Sequence, residues 1–535
     1  MNAVSIQHLR RRTEIRGAGA AALRERVDVA FAAVLDDGLE VAFHAHGIGL
    51  DEDICIRRLH TRNRLQPGRS DAQWAADLSL TWIEEVRRML ARGGPDVVRY
   101  RSRLHALVDI AVSVQRGDRS REWAWRQLRE WREEHVDAAQ AIEALVDTLT
   151  CHETAVVPVL AVLAARGALA PLAARLNEPQ VVALALAALA AAGAPRELLG
   201  AAASASDAET EQVERQAARA LAASPLAPAI ATHAPPGAGE AAAVLVLLGA
   251  EPAVLRGRDA RRIVVAGARR LRAARSVAAP APNQPAGREQ LARRPPAPST
   301  APTDADAPQR DPTEARLTVA GASDGPPQPV DGAAPALRGR SAEPVASAVD
   351  AADDAGATTG WGGLLLLLPL VEPSGVLELA TTDDALQSRG LPWTLHRLAT
   401  LLAPIPLDDP AALAFAGVAA SAAPPLLGSE APTVAEQDAL AHLGDTLVVA
   451  LRERLGDVGA ATHPGSLGLA PRLELAQDLL LHTICRRAAR IRFDPGWIEV
   501  RFRLADVSIA IRRCGLDRNP DWLPWLGAVV RYVYE

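Results

Sequence analysis

Lysine is absent from this 535-residue chain, and all 58 of its basic side chains are arginine. A phosphate-cradling GxxxxGK[ST] loop is therefore excluded outright. Cysteine is almost as scarce. Cys55, Cys151, Cys485 and Cys514 lie far apart with no CxxC pair, which argues against both a zinc site and a disulfide framework. Aromatic residues make up only 3% of the chain. Basic charge is not in excess, since 64 acidic side chains leave a formal net charge of −6. Arginines scattered among carboxylates do not make the basic stripe that nucleic acid requires, and the one dense run, Arg10 to Arg12, reads as a solvated edge. Long hydrophobic runs are missing too. The largest aliphatic burst, "LLLLLPLV" from Leu364, is too short to span a bilayer, and the opening "MNAVSIQHLRRRTEIRG" lacks the apolar centre of a signal peptide. These absences predict a cytoplasmic chain with no membrane insertion and no nucleic-acid partner.

Catalytic patterns are equally sparse. No GxGxxG follows a strand-like stretch, and no GxSxG elbow occurs. "FHAHGIGLDED" sets His44 and His46 near Asp51, Glu52 and Asp53, but without HExxH the acidic triplet reads as a turn between helix and strand. "CHET" places Cys151 beside His152 and Glu153. Neighbours on a helix point in different directions, so this is no thiol–imidazole dyad by itself. Asp494, Glu499 and Asp506 read as strand ends or solvent-facing groups. The expectation is a protein with no catalytic residues, no cofactor and no metal.

What the chain does contain is organised in four blocks, too much for one hydrophobic core. Residues 1–135 read as an α+β domain. "VSIQHLRRRTEI" can be a first strand, "AAALRERVDVAFAAVLDD" is helical in period, and "DICIRRLHTRNRL" returns to strand character. Ser70 can cap a helix carrying Trp74, Leu78, Trp82, Val86 and Met89 on one stripe, stopped by Gly93 and Gly94. Two further helices break at Gly117. In the second, Ala124, Trp125, Leu128 and Trp131 share the inner face. Trp123 falls nearly opposite Trp125, so either another element covers it or it is an exposed anchor for a partner.

Residues 136–275 form an alanine-rich all-α module. "NEPQVVALALAALAAAG" and "DAETEQVERQAARALAAS" superpose about 32 residues apart, aligning Val181 with Val213 and Leu189 with Leu221. HEAT-like helix pairs are one reading, and alanine composition mimicking a repeat is the other. Residues 276–360, dense in Pro, Ala, Ser, Thr and Asp, read as a disordered linker that divides an N-terminal from a C-terminal body. Residues 361–535 are expected to form a C-terminal α+β domain. It opens on the buried run at Trp361 and closes on an aromatic-rich tail, "DPGWIEVRFRLADVSIAIRRCGLDRNPDWLPWLGAVVRYVYE". Within it, the alternation of Ile498, Val500 and Phe502 resumes out of phase at Val507, Ile509 and Ile511. That pattern predicts a hairpin-like unit turning near Ala505 and Asp506. The last fifteen residues fit helix or strand. Trp522 and Trp525 are the candidate partner contacts of the tail. The fold class expected is mainly α, with small α+β terminal domains around the helical module.

Several stretches together resemble the tape-measure-like proteins of bacterial extracellular contractile injection systems, which are phage-tail-like particles. They are "IQHLRRRTEIRG", "ICIRRLHTRNRL", "YRSRLHALVDIAVSVQRGDRSREWAWRQLREW", "GGLLLLLPLVE" and the tail. The likeness spans roughly the first 135 and last 175 residues. It implies a non-catalytic structural or assembly component, with tube, baseplate or sheath proteins as partners, incorporated into a particle released from the cell. A ruler should be one long helix, whereas this chain interposes a module and a linker, so assembly or capping competes with literal length measurement. A helical-repeat scaffold unrelated to such particles is the alternative class.

Overall fold

A computed structural model describes residues 6, 9, 11–15, 20–46, 52–66, 68–132, 137–200, 207–278, 356–461 and 477–535. Helix dominates, at 63% against 8% strand, as the composition predicts. The described residues belong to one compact unit. The segments before and after the linker pack together, yet each keeps its own apolar cluster, with only Ala253 of the module joining that of the C-terminal half. Most of the predicted linker, 279–355, lies outside the described residues. Its ends are corrected, because helix continues to Ala278 and a short strand begins at Ala357.

The N-terminal part is built from α1 (Ala20–Ala33), a π-helical turn (Val34–Gly38), α2 (Leu39–Ala45), β1 (Asp53–Ile56), α3 (Asp71–Arg92), β2 (Val97–Tyr100), α4 (Arg103–Arg116) and α5 (Glu122–Gln127). Ser70 and Gln73 form a reciprocal capping box at the start of α3, and Gly93 stops it at φ +64. Trp74, Leu78 and Trp82 then pack on Val27, Ala30 and Val34 of the facing segment. β1 and β2 pair antiparallel, Asp53 opposite Tyr100. The first strand expected in "VSIQHLRRRTEI" is not formed by its described residues, of which Arg11 instead pairs with Asp28 and lies over the Phe31 ring.

The module follows with α6 (Ala138–Cys151), α7 (Val156–Ala165), α8 (Leu169–Ala173), α9 (Glu178–Ala191), α10 (Asp207–Ala223), α11 (Ala227–His233), α12 (Gly239–Leu248) and α13 (Ala260–Ala278). Helix α9 stacks between α6 and α12, while α10 stacks on α13. The 32-residue superposition thus matches two helices that have different neighbours. Alanine at the contacts permits this close approach: Ala185, Ala217, Ala243 and Ala266 are fully buried.

Beyond the linker come β3 (Ala357–Thr359), α14 (Leu391–Leu402), α15 (Val434–Ala461) and α16 (Gln477–Cys485), with short helical turns between them. The tail then adds β4 (Ala489–Asp494), β5 (Trp497–Phe502), α17 (Ile509–Cys514), β6 (Asp521–Leu523) and β7 (Ala528–Tyr534). The sheet order is β3-β4-β5-β7-β6. Its hairpin is β4–β5, turned at Pro495–Gly496 with Gly496 at φ +74, and not the turn at Ala505–Asp506 expected from alternation. Val507, Ile509 and Ile511 do not continue a strand. Residues 509–514 are helical, burying Ile511 and Cys514 three apart, and they form part of the crossover that lets β7 return parallel to β5. The last fifteen residues are mainly strand.

Leu364 to Leu368 are fully buried at the centre of this half, and the Tyr532 hydroxyl donates to the Leu365 carbonyl at 2.7 Å. Among the described residues no single helix is long and apolar enough to cross a membrane.

Candidate interaction surface

The three candidate tryptophans do different things. Trp123 is half-buried against the module core, and its indole nitrogen is enclosed without a hydrogen-bond partner. Trp522 is also half-buried, and its indole N–H donates to the Ala191 carbonyl at 2.7 Å. Ala191 ends α9, where carbonyls lack intrahelical donors, so this tail residue caps a helix of the module. Trp525 is 1% exposed, inside the core. Its assignment as a partner contact is corrected: burial leaves it no outward surface.

Trp522 is one stitch in a seam that joins module to tail. The buried Glu251 carboxylate accepts the Leu391 amide at 2.7 Å, at the start of α14, and the Arg219 guanidinium at 3.2 Å. Arg219 also donates to the Ser388 carbonyl at 2.7 Å. Gly390 sits at φ +83 against Arg219, so any side chain there would meet both backbone strain and the guanidinium. A Cβ on Gly496 would collide with Pro158 of α7, and His105 of α4 approaches Asp494 at 3.7 Å. These contacts place the carboxylate Asp494, expected as a strand end, within the seam.

Two buried polar clusters stand beside it. Asp109 accepts the Tyr100 hydroxyl at 2.7 Å, the Trp125 indole at 3.0 Å and Arg121 at 3.0 Å. Burial, together with the Asp109 carboxylate, drives the Tyr100 hydroxyl far above its usual range. Glu130 is buried and holds Arg103 at 2.6 Å and His152 at 2.5 Å. The imidazole of the "CHET" stretch is therefore engaged by a carboxylate, while Cys151 is exposed. Burial, with Asp53 nearby, pushes the Cys55 thiol up to about 12, and burial does the same to Cys485. Both clusters tie α4 and α5 to their surroundings and face no described cavity. Of the imagined metal set, Asp51 lies outside the described residues and Glu52 pairs with Arg99. Among the described residues no group of three or more His, Cys, Asp or Glu side chains is arranged to hold a metal ion.

The open surface lies elsewhere. After β5, Leu504 is 66% exposed, and Ile509, the first residue of α17, 69%. The alternation that falls out of phase at Ala505 was the sequence signal for them, since a strand on one face would have buried both. A second feature is a solvent-open groove of about 570 Å³ between residues 60–62 and α3, lined by His60, Thr61, Arg62, Thr81, Glu84, Glu85 and Arg88. Across the whole chain arginines are interspersed with carboxylates, but along the segment that carries residues 60–62 they are not. Residues 57–64 hold four arginines and no carboxylate.

Comparison with protein-family models, curated proteins and solved structures gave no match.

Proposed function

We propose that the protein is a non-catalytic assembly component that works through protein–protein contacts. The observation that carries this reading is the connection from β5 into α17: two large aliphatic side chains, Leu504 and Ile509, stand open in a tail whose heavy aromatics are otherwise packed inward. Solvating aliphatic side chains costs free energy that a partner's surface would recover, at about 25 cal/mol per Å² removed from water. The resemblance supplies the setting, a contractile injection system with tube, baseplate or sheath proteins as partners. Literal length measurement is not part of the proposal. The longest described helix has 28 residues, which span about 42 Å at 1.5 Å per residue, and the rest of the described chain is folded back on itself.

The stack of α6, α9 and α12 favours a second reading, a helical-repeat scaffold that recruits partners outside any such particle. The experiment that separates them replaces the gene in the native host by one encoding Leu504→Asp and Ile509→Asp. Electron microscopy of the host's particles should show assembly lost or malformed while the variant chain remains folded by circular dichroism. Normal particles both from this variant and from a deletion strain would overturn the assembly reading.

A further inference from the structure

Residues 58–65 link β1 to the segment that caps α3, and three observations single them out. First, they carry no helix or strand, and no backbone hydrogen bond is made by any of them among the described residues. Second, burial alternates along the start of the segment. Leu59 and Thr61 are half-buried, and Leu59 packs beside Ile83 and Val86 of α3, whereas Arg58, His60 and Arg62 are exposed, as is Arg64 beyond them. Third, Arg58, Arg62 and Arg64 make no ion pair among the described residues, whereas Arg26, Arg69, Arg121 and Arg389, for example, do. The segment lies next to a strand that is already paired on one side, so it offers unpaired amides and carbonyls beside a row of unneutralised cations.

We infer that residues 58–65 receive an acidic, extended segment of a partner protein, which adds as a strand along their open backbone and sets carboxylates against Arg58, Arg62 and Arg64. Strand addition satisfies the main-chain groups, and side chains two apart supply selectivity because they stand on one face. Cross-strand neighbours come within about 5 Å, so glutamate or aspartate at every second position of the partner meets successive cations. Guanidinium suits this role, since its planar fork takes a carboxylate through two hydrogen bonds. Eight residues reach about 26 Å, the length of one short strand. Nucleic acid fits less well, because no exposed aromatic interleaves the arginines to stack a base. The inference names the partner chemistry for the assembly role above and rests on that role only in requiring a protein partner.

The test uses the full chain and a fluorescent ten-residue peptide of alternating glutamate and valine, read by anisotropy at low and at raised salt. Saturable binding is expected, weakening at least tenfold in the Arg58→Glu, Arg62→Glu, Arg64→Glu variant and several-fold at raised salt. A glutamine–valine peptide should bind at least tenfold more weakly. Should the reversed variant fail to fold, the triple glutamine variant replaces it, with the same expectation of weakened binding. Equal binding of the glutamine peptide, unchanged binding by a folded variant, or no saturable binding would each overturn the inference. Tighter binding of a single-stranded ten-nucleotide DNA would overturn it in favour of a polyanion site. Purification of tagged wild-type and variant chains from the native host tells the two failures apart. Particle subunits arriving equally with both would sink the strand-capture inference and leave the assembly role standing, whereas their absence from both would sink the assembly role.

Discussion

Removing the Glu251 carboxylate should loosen the seam between module and tail. In Glu251→Ala the Leu391 amide at the start of α14 loses its acceptor and the Arg219 guanidinium loses its counter-charge. A hydrogen bond to a charged acceptor contributes about 1.5–3 kcal/mol, and breaking a buried pair by deleting one partner costs about 3–5 kcal/mol. The Arg219 side chain keeps 29% exposure and two carbonyl acceptors at residues 387 and 388, so water and backbone relieve part of its loss. A destabilisation of about 3 kcal/mol follows, with about half of that for Glu251→Gln, whose amide oxygen can still accept from Leu391. At about 2 °C per kcal/mol for a large unit, Tm should fall by about 6 °C in the alanine variant. Urea unfolding followed by tryptophan fluorescence, together with calorimetry, measures both. Pairing it with Arg219→Ala should give a coupling of about 1–2 kcal/mol. A loss below about 0.5 kcal/mol with no coupling would refute the claim that this carboxylate holds the two parts together.

Three further outcomes follow from burial and charge. Trp525→Ala should cost about 3–5 kcal/mol, whereas Leu504→Asp should stay within about 0.5 kcal/mol, and equal effects in thermal melts would contradict the assignment of one to the core and the other to the surface. Of the four cysteines only Cys151 is exposed, so a thiol reagent should label one group in the native chain and four after unfolding, and rapid labelling of two or more would count against the packing of Cys55, Cys485 and Cys514. His396 is fully buried with its Nε2 bonded to the Leu407 carbonyl, and burial depresses its pKa. The unfolded chain then takes up the proton first, so stability should be full above about pH 6.5 and fall as pH drops below it. His396→Gln should flatten the fall in urea midpoint between about pH 6.5 and 5. An unchanged slope would exclude this histidine as its source.

Local signals were legible where one residue decides local geometry. Ser70, Gly93 and Gly117 punctuate the helices as read, and the tryptophan stripe of α3 is buried as its spacing requires. Longer-range features were not legible. Trp522 caps a helix end 331 residues away, and nothing in "DWLPW" marks which carbonyl awaits it. Residues 504–514 failed for a physical reason: six or seven residues of mixed aliphatic and charged character satisfy a two-residue and a three-to-four-residue period alike, and the crossover demanded by parallel β5–β7 pairing settled the matter in favour of helix. The arginine segment 57–64 was visible in composition. Its significance was not, since unpaired charge and unpaired backbone are properties of what surrounds a segment.

We propose that this chain works by binding other proteins of an injection particle. Affinity purification of the tagged full chain from its native host, with the particle genes expressed and mass spectrometry of what accompanies it, tests that claim most directly. The account predicts recovery of tube, baseplate or sheath subunits with the wild-type chain and their reduction with Leu504→Asp, Ile509→Asp. Recovery of none of them with the wild-type chain would contradict it.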